Sequence, residues 1–555
     1  MFGMVKYAAG NLYAITVFLC LSCLVFRESV RAQAYPLKVS ANKRYLVDQN
    51  TVPFLIAGDA PQALMVNISE ADADMYFADR ASHGFNCLWI NLLCADYTGG
   101  RSDASTYDGV LPWTTAGDLS TPNEAYFSHC DRVLRLAANR GLVVFLDPAE
   151  TGSFLSVMLA NGVTKCRNYG RYLGNRYKSF DNIVWLSGND YQDWSSAAND
   201  TVVTAVALGI KDNDLRHIHT IELNYIVSGS LDDPKWAPIV SLNASYTYCP
   251  TYAQVLKDYN RTNFQPVFLI EANYEFESLQ GPVTTAAILR RQEYWTNLSG
   301  ATGQFYGNGY IWPFKSGWKD NLVTPGATQM AFVKTLFEPR PWYNLVPDQD
   351  HSVVTAGYGT FSNTGHVADN YCATAARTPD GGLVLAFLPS GQTVTVDMTK
   401  LGSSAKAQWY DPTNGTYATI SGSPFPNIGP RNFTPPGANS AGDKDFVLVL
   451  EATASVSSRM NTRIPEDVTV KTVYNPATQT VAIIVSGKES MAVAVIYDAA
   501  GRQVAVLPAE GFRGESAKAG ACTLWWDASG VPCGVYLLQV QTQHAAVVRP
   551  FVKTW

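Results

Sequence analysis

The sequence predicts an α/β protein, a (β/α)8 TIM barrel followed by two small all-β sandwich domains. Between residues 54 and 338, apolar runs of strand length alternate with amphipathic stretches at helical spacing. Eight such units in roughly 290 residues match the count and size of a (β/α)8 barrel. After Pro341, short strands are separated by Gly, Pro and Asn turns, which is typical of antiparallel sandwiches.

The eight barrel strands are predicted from apolar runs. Near-continuous Val, Ile, Leu and Phe indicate strands that are buried on both faces, as in a parallel sheet. The predicted strands are Phe54–Gly58, Phe85–Leu92, Leu142–Asp147, Ile183–Ser187, Ile218–Leu223, Ile239–Leu242, Val267–Glu271 and Gly303–Trp312.

Capping residues and glycine stops mark the helices between these strands. Ser69 precedes an acidic first turn and predicts an N-cap for a helix that ends at Gly84. Apolar residues at helical spacing predict three further helices, at 123–139, 284–298 and 327–337.

Changes in composition and in residue pattern along the chain also predict the domain boundaries. We expect a signal peptide at residues 1–34, the barrel at 35–345 and a β-sandwich packed on the barrel at 346–452. A polar linker follows at 453–466. Seven short strands in residues 467–555 then predict an immunoglobulin-like domain.

The N-terminal segment is typical of export. Lys6 supplies a sparse positive region, residues 14–26 are mostly apolar, and Ala32-Gln33-Ala34 fits a small-x-small cleavage site. An uncleaved anchor is the alternative, but the apolar run is shorter than the ~20 residues that a membrane span needs. We therefore expect a secreted, cell-surface or periplasmic bacterial protein, cleaved near Ala34, with no membrane span.

Composition excludes some functions and favours others. A net charge of -6 over 555 residues gives no basic footprint for nucleic acid. Aromatic residues make up 12% of the chain, which suits sugar stacking but equally suits a large core.

The cysteines and histidines do not predict a metal site. Outside the signal peptide the cysteines form no C-x-x-C pair, and His217 and His219 lack a third ligand in register. Export permits disulfides, and Cys522 and Cys533 are placed to bridge adjacent strands.

Two apolar runs end abruptly in a carboxylate. Asn182-Ile-Val-Trp-Leu-Ser-Gly-Asn precedes Asp190, and Pro266-Val-Phe-Leu-Ile precedes Glu271. Barrel enzymes keep their chemistry at the C-terminal ends of strands, and two carboxylates suffice to cleave a glycosidic bond. Burial of one would raise its pKa and make it an acid, while its partner stays ionised as the nucleophile. The alternative is that both serve as helix caps or salt-bridge partners.

Five further residues are candidates for substrate binding. Asp59 follows the first strand and either binds a hydroxyl or caps a loop, and Asn189 either binds a hydroxyl or orients a neighbour. Tyr274 follows the seventh strand, and Trp113 and Trp312 occupy loop positions that suit stacking platforms.

Several motifs together resemble the apiosidase-like glycoside hydrolases, glycoside hydrolase family 140 and its relatives. The resemblance spans roughly residues 35–451 and implies a barrel followed by a β-sandwich that is often labelled collagen-binding. It implies catalytic roles for Asp190 and Glu271, an Asp after the fourth strand and a Glu after the seventh. The motifs are Phe54-Leu-Ile-Ala-Gly-Asp, Tyr169-Gly-Arg-Tyr-Leu-Gly-Asn-Arg-Tyr-Lys, Gly300-Ala-Thr-Gly-Gln-Phe-Tyr-Gly and Arg340-Pro-Trp-Tyr-Asn-Leu-Val-Pro-Asp-Gln.

The chain departs from the family pattern at two places. Gly188-Asn189-Asp190 stands where the family has Gly-Gly-Asp, and Ala60-Pro61-Gln62 stands where it has a small residue and Trp. A changed subsite wall is therefore expected. The C-terminal module, which contains Gly534-Val-Tyr-Leu-Leu-Gln-Val, resembles immunoglobulin-like domains that end many secreted bacterial proteins.

The expected function is hydrolysis of a complex, plant or other, polysaccharide by a two-carboxylate mechanism. Retention is implied by the family's clan, and the chemistry needs no metal or organic cofactor. The partner is a poly- or oligosaccharide substrate, and arabinofuranose or galactose are alternatives to apiose as the sugar. The alternative from another class is a non-catalytic glycan-binding or adhesion protein on a barrel scaffold.

Overall fold

The computed structural model describes residues 33–279, 281–453, 469–475, 477–486, 491–498, 503–508, 521–542 and 546–553. The predicted signal peptide up to residue 32 and the predicted linker beyond Thr453 lie outside these residues. The chain divides into two compact units, Met1–Thr453 and Ala454–Trp555.

A nearly closed sheet organises the first unit. Eight parallel strands follow one another in chain order, and the eighth pairs with the first from Gly303 opposite Ile56 to Tyr306 opposite Asp59. Labelled β1 to β8, they are Ile56–Asp59, Cys87–Asn91, Val143–Asp147, Ile183–Tyr191, His219–Leu223, Asn243–Thr247, Val267–Glu271 and Gly303–Tyr306.

A serine side chain bridges β5 and β6. The hydroxyl of Ser230 donates to the carbonyl of Ile221 at 2.6 Å and accepts from the amide of Ala244 at 2.8 Å. The short strand Val227–Gly229 pairs antiparallel with β6 beside it. These bonds satisfy one backbone carbonyl of β5 and one backbone amide of β6. The sheet as a whole is barrel-like.

The prediction for the sixth strand was wrong. The apolar run Ile239–Leu242 precedes the strand, and β6 is the polar segment Asn243–Thr247. Two of its polar side chains form internal hydrogen bonds, since Asn243 Oδ1 accepts from the amide of Leu231 at 3.3 Å and Ser245 donates to Asp258 at 2.6 Å. β8 also ends at Tyr306 rather than at Trp312, and β4 continues to Tyr191.

Helices cover the outside of the sheet. The predicted N-cap is confirmed, because Ser69 Oγ accepts from the amide of Asp72. Within the described ranges, no helix combines the length and the apolar character needed to cross a membrane. The main helices are Glu70–Ser82, Glu124–Asn139, Thr151–Tyr177, Ala197–Asn213, Thr251–Tyr259, Ala286–Leu298 and Pro325–Phe337.

A β-rich region follows the barrel-like sheet within the first unit. Two antiparallel sheets enclose an apolar cluster, and the larger sheet packs on the helix Ala286–Leu298. Tyr294 stacks on Phe387 at 5.1 Å between ring centroids, and buried Arg290 pairs with Asp445 at 2.7 Å. Strands of the larger sheet are Val346–Pro347, Thr374–Arg377, Leu383–Leu388, Ala405–Asp411, Thr416–Thr419 and Phe446–Ala452, and those of the smaller are Val354–Ala356, Val394–Asp397 and Pro430–Phe433.

The second unit contains a three-stranded and a four-stranded antiparallel sheet around its own apolar cluster. Cys533 is exposed and its thiol is free, whereas the side chain of Cys522, its predicted partner, lies outside the part of the chain that the structure describes. The strands are Thr469–Asn475, Thr480–Ser486, Met491–Asp498, Gln503–Pro508, Ala521–Asp527, Gly534–Thr542 and Ala546–Lys553.

Candidate active site

The chain leaves the core of β4 through three consecutive residues with positive φ. The values are 108° at Gly188, 61° at Asn189 and 56° at Asp190. A Cβ on Gly188 would lie 2.1 Å from the carbonyl oxygen of Glu222, so only glycine fits. Such backbone strain costs on the order of 1–3 kcal/mol at a non-glycine residue and concentrates at functional sites.

Hydrogen bonds hold the strained turn at the C-terminal edge of the sheet. Thr151 Oγ1 donates to the carbonyl of Gly188 at 2.7 Å, and the amide of Asp190 donates to Glu222 Oε2 at 2.9 Å. Two phenols contact the side chain of Asp190. Tyr97 donates to Asp190 Oδ2 at 2.7 Å, and the hydroxyl of Tyr246 lies 2.5 Å from Oδ1.

Glu271 is the last residue of β7 and its side chain is buried. Tyr248 donates to its Oε1 at 2.5 Å, and Tyr274 donates to its Oε2 at 2.8 Å. The amide of Gln62 lies 3.4 Å from the same Oε2. The hydroxyl of Tyr246 is 3.2 Å from Glu271 Oε1, so one phenol oxygen contacts both carboxylates.

A third carboxylate, Glu222 on β5, lies beneath this pair. It is fully buried, and its Oε1 has no hydrogen-bond partner among the residues that the structure describes. Over the same residues, no arginine or lysine forms an ion pair with Asp190, Glu222 or Glu271. The negative charge at this site is therefore offset by neutral donors alone.

Burial raises the pKa of all three carboxyl groups. Burial and then the charge of Asp190 raise the pKa of Glu271 to about 8. Burial also raises the pKa of Asp190, against the hydrogen bonds from Tyr246 and Tyr97 that lower it. The pKa of Glu222 lies well above its ordinary value because of burial and the neighbouring charges of Glu271 and Asp190. The expectation that only one member of the pair has a raised pKa was wrong, because the two share a single buried space.

The structure corrects the expectation for Asp59. Its side chain is fully buried and pairs with Arg80 Nε at 2.5 Å, while the hydroxyl of Tyr76 donates to the same oxygen at 2.5 Å. Its other oxygen accepts from the amide of Ala60 at 2.7 Å. These partners occupy both oxygens, so Asp59 anchors the end of β1 instead of meeting a sugar hydroxyl.

The other predicted binding residues lie at the same rim in different roles. Asn189 is buried and its amide oxygen accepts from Asn91 at 2.7 Å. Tyr274 touches Glu271 directly, and Trp312 donates to Glu277 at 2.6 Å. Trp113 is 6% exposed and packs edge-to-face on Phe154, so it does not offer a flat stacking face.

Sequence reasoning missed most of the donors around the pair. Tyr246 lies in β6 and Tyr248 directly follows the strand, two residues further on, so that in extended backbone the two side chains point to the same side. The displaced prediction for that strand concealed this signal. The sequence marked Gln62 only as a position that differs from the family motif. Tyr97 lies in the loop after β2, and nothing in the local sequence predicts its contact with Asp190.

These strand-end carboxylates on a barrel-like α/β sheet define the class of glycoside hydrolases. Residues 40–344 match the family model described as "Apiosidase-like, catalytic domain", and residues 347–451 match "Putative collagen-binding domain of a collagenase". The first match covers more than half of the chain. The protein belongs to the apiosidase-like family and is a glycoside hydrolase.

Solved structures agree on the fold. A structure titled "Glycoside hydrolase" is 23% identical, with a TM-score of 0.67, and covers 76% of this chain and 98% of its own. A glycoside hydrolase family 5 protein from Bacteroides vulgatus is 22% identical, with a TM-score of 0.66, and covers 76% of this chain and 94% of its own. No curated protein matches the sequence.

Proposed function

We propose that this glycoside hydrolase cleaves a bond in a complex plant cell-wall polysaccharide and retains the configuration of the anomeric carbon. The contact of Tyr246 with both carboxylates carries the proposal. The hydroxyl of Tyr246 lies 2.5 Å from Asp190 Oδ1 and 3.2 Å from Glu271 Oε1. The distance between these two carboxylate oxygens therefore cannot exceed the sum of the two contacts. Retaining pairs lie about 5–5.5 Å apart, whereas inverting pairs need about 6.5–9.5 Å to admit a water.

In the proposed mechanism, Asp190 is the acid and base and Glu271 is the nucleophile. Glu271 accepts from Tyr248, Tyr274 and Gln62, which stabilise its charge. Asp190 is the less buried of the two and can exchange its proton with solvent. Burial raises the pKa of Glu271 most, and the charge of Asp190 adds to this, so a proton on Asp190 removes the repulsion and favours the ionised nucleophile.

Two displacements complete the cycle. Glu271 attacks the anomeric carbon while Asp190 gives its proton to the departing glycosidic oxygen, and a glycosyl-enzyme ester forms. Asp190 then removes a proton from water, the water oxygen attacks the same carbon, and Glu271 leaves as a carboxylate. Both enzyme groups return to their initial state.

Product analysis on digests of rhamnogalacturonan, arabinogalactan and β-glucan tests this function. We expect one digest to release a sugar whose first-formed anomer, followed by NMR, has the configuration of the substrate. Release of the opposite anomer would overturn retention. If wild type hydrolyses nothing yet binds a glycan as tightly as Asp190→Asn and Glu271→Gln, the non-catalytic alternative replaces the proposal.

We further propose that the enzyme is exported and that its sheet is a (β/α)8 barrel followed by a packed β-sandwich and an immunoglobulin-like domain. The chain-order pairing of the eight parallel strands and the two-sheet arrangement of both β-rich regions support this architecture. The segment ending at Ala34 supports export. N-terminal sequencing of protein recovered outside the cytoplasm should begin at Tyr35, and an intact N-terminus would contradict cleavage.

A further inference from the structure

A cleft of about 750 Å³ opens beside the carboxylate pair. The loop after β2 and the first turns of the helix Thr151–Tyr177 form its walls. Tyr97 stands between the cleft and the pair, since its ring lines the cleft and its hydroxyl donates to Asp190 at 2.7 Å. The cleft therefore begins one phenol ring away from the proposed acid. We call it the Tyr97 cleft.

The ring of Tyr97 packs against Gly152, where a side chain would not fit. A Cβ on Gly152 would lie 2.1 Å from the ring of Tyr97. The backbone amide of Tyr97 also donates to Ser153 at 3.0 Å, which ties the loop after β2 to the helix. Tyr97 remains 44% exposed, so one part of its ring faces the open cleft while its hydroxyl holds Asp190.

The lining combines apolar rings with a few polar groups, as binding sites for small molecules do. The exposed side chains of Tyr97 and Leu111 supply apolar wall, and the exposed Asp96 and Asp103 supply acceptors. The buried indole N–H of Trp113 has no acceptor among the residues described. Apolar side chains can contact the C–H faces of a sugar ring, and the polar groups can bind its hydroxyls.

The charge of the lining residues indicates whether the ligand is neutral or acidic. Two carboxylates line the Tyr97 cleft, and none of its lining residues is a lysine or an arginine. A uronate placed there would meet like charge without a compensating cation, which is unfavourable. Neutral sugars carry no such cost.

We propose that the Tyr97 cleft is an extension subsite that binds neutral sugar units adjoining the scissile bond. The inference rests on the proposed function, because the cleft is placed by its distance from Asp190. It assigns the enzyme to neutral oligosaccharide segments of at least two units and away from galacturonate segments. The units bound belong to either side of the scissile bond, and the products distinguish the two sides.

Binding to an inactive variant tests the subsite. In a Glu271→Gln background, titration calorimetry would compare β-glucan and arabinan oligosaccharides of two to six units with oligogalacturonides of the same lengths. We expect the neutral series to bind more tightly as length grows and the oligogalacturonides to bind at least tenfold more weakly. Equal binding of both series, or binding of neither, would overturn the proposal.

A blocking substitution locates the bound units. Ala116 is exposed in the cleft wall, so Ala116→Trp fills the space without changing Asp190 or Glu271. We expect Ala116→Trp to weaken neutral oligosaccharide binding at least tenfold, and in the active enzyme to raise KM more than it lowers kcat. Ala71→Trp, on an exposed helix position, is the matched control and should change neither.

The outcomes separate this inference from the proposed function. Hydrolysis that is indifferent to Ala116→Trp refutes the cleft and leaves the function standing. Binding that Ala116→Trp abolishes, in an enzyme that hydrolyses nothing, refutes the function and leaves the cleft standing. With an active enzyme, loss of activity on long but not on minimal substrates shows from the products which side of the bond the cleft serves.

Discussion

Asp59 and Glu271 are both buried carboxylates at the C-terminal end of a parallel strand in one sheet, yet their surroundings are opposite. Asp59 is paired with buried Arg80 at 2.5 Å. Glu271 receives only phenol and amide donors, and its nearest charged neighbour is the like charge of Asp190. A guanidinium compensates the charge of a buried carboxylate and holds it in place, whereas phenol and amide donors bring no compensating charge.

The comparison shows why burial alone does not identify a catalytic group. Burial disfavours the charge on both residues, and the second partner decides the outcome. Where a cation is supplied the carboxylate becomes a structural anchor, and where a second carboxylate is supplied the pKa rises into the range that acid–base chemistry uses. Changes at Glu271 should therefore lower activity without lowering stability, whereas changes at the pair of Asp59 and Arg80 should lower stability.

The largest expected effect is on turnover. Asp190→Asn and Glu271→Gln each remove one of the two proposed reacting groups while preserving shape, and we expect kcat to fall by at least roughly 10³-fold. Steady-state kinetics on a glycan that wild type hydrolyses measures this. Loss of less than tenfold for either variant would place the chemistry elsewhere. The thermal midpoint of both should not fall, in contrast to changes at Asp59.

The second effect is on stability. Arg80→Leu leaves Asp59 buried without its cation, and we expect the free energy of unfolding to fall by about 3–5 kcal/mol. Arg140→Ala is the matched control, because it breaks an ion pair with Asp74 that is more than a third exposed on both sides. The control should cost at most about 1 kcal/mol in urea unfolding. Equal losses would contradict the contrast between the two buried carboxylates.

The third effect is a pH dependence of stability that comes from Glu271. Folding raises the pKa of Glu271 from 4.5 to about 8, so the folded protein binds its proton more tightly than the unfolded chain. Its contribution is most favourable below pH 4.5 and is lost as pH rises towards 8. Glu271→Gln should therefore gain on the order of 4 kcal/mol relative to wild type between pH 5 and pH 9.

Urea unfolding of wild type and Glu271→Gln at pH 5, 7 and 9 measures this gain. Asp59→Asn is the companion variant, since it removes the partner of Arg80 and should be less stable than wild type at all three values. A Glu271→Gln difference that does not grow with pH would refute the raised pKa.

The smallest effect is expected at Glu222. Burial and the charges of Glu271 and Asp190 raise its pKa well above the ordinary value, and its side chain accepts from the amide of Asp190 at 2.9 Å. Glu222→Gln retains an acceptor and should keep kcat within about threefold, with an unchanged pH profile. Glu222→Leu removes the acceptor and should lower kcat more than it raises KM. An altered acid limb in Glu222→Gln would show that Glu222 carries charge.

Local sequence determined the strands and their carboxylate ends. The apolar runs before Asp190 and Glu271 can only be buried strands, and Gly188 marks the turn that a side chain would block. The predicted bounds Val267–Glu271 and the Ser69 cap are confirmed for this reason. These features depend on residues that are neighbours in the chain.

Tertiary structure decided what each carboxylate became. Asp59 and Glu271 read alike in sequence, and only the packing of the helix Glu70–Ser82 brings Arg80 to one of them. Tyr246 reaches both Asp190 and Glu271 from β6, a polar strand that no apolar run marks in the sequence. Apolar strands follow from local sequence, whereas the place of a polar strand and the pKa of a buried group depend on the burial and the charges that folding creates around them.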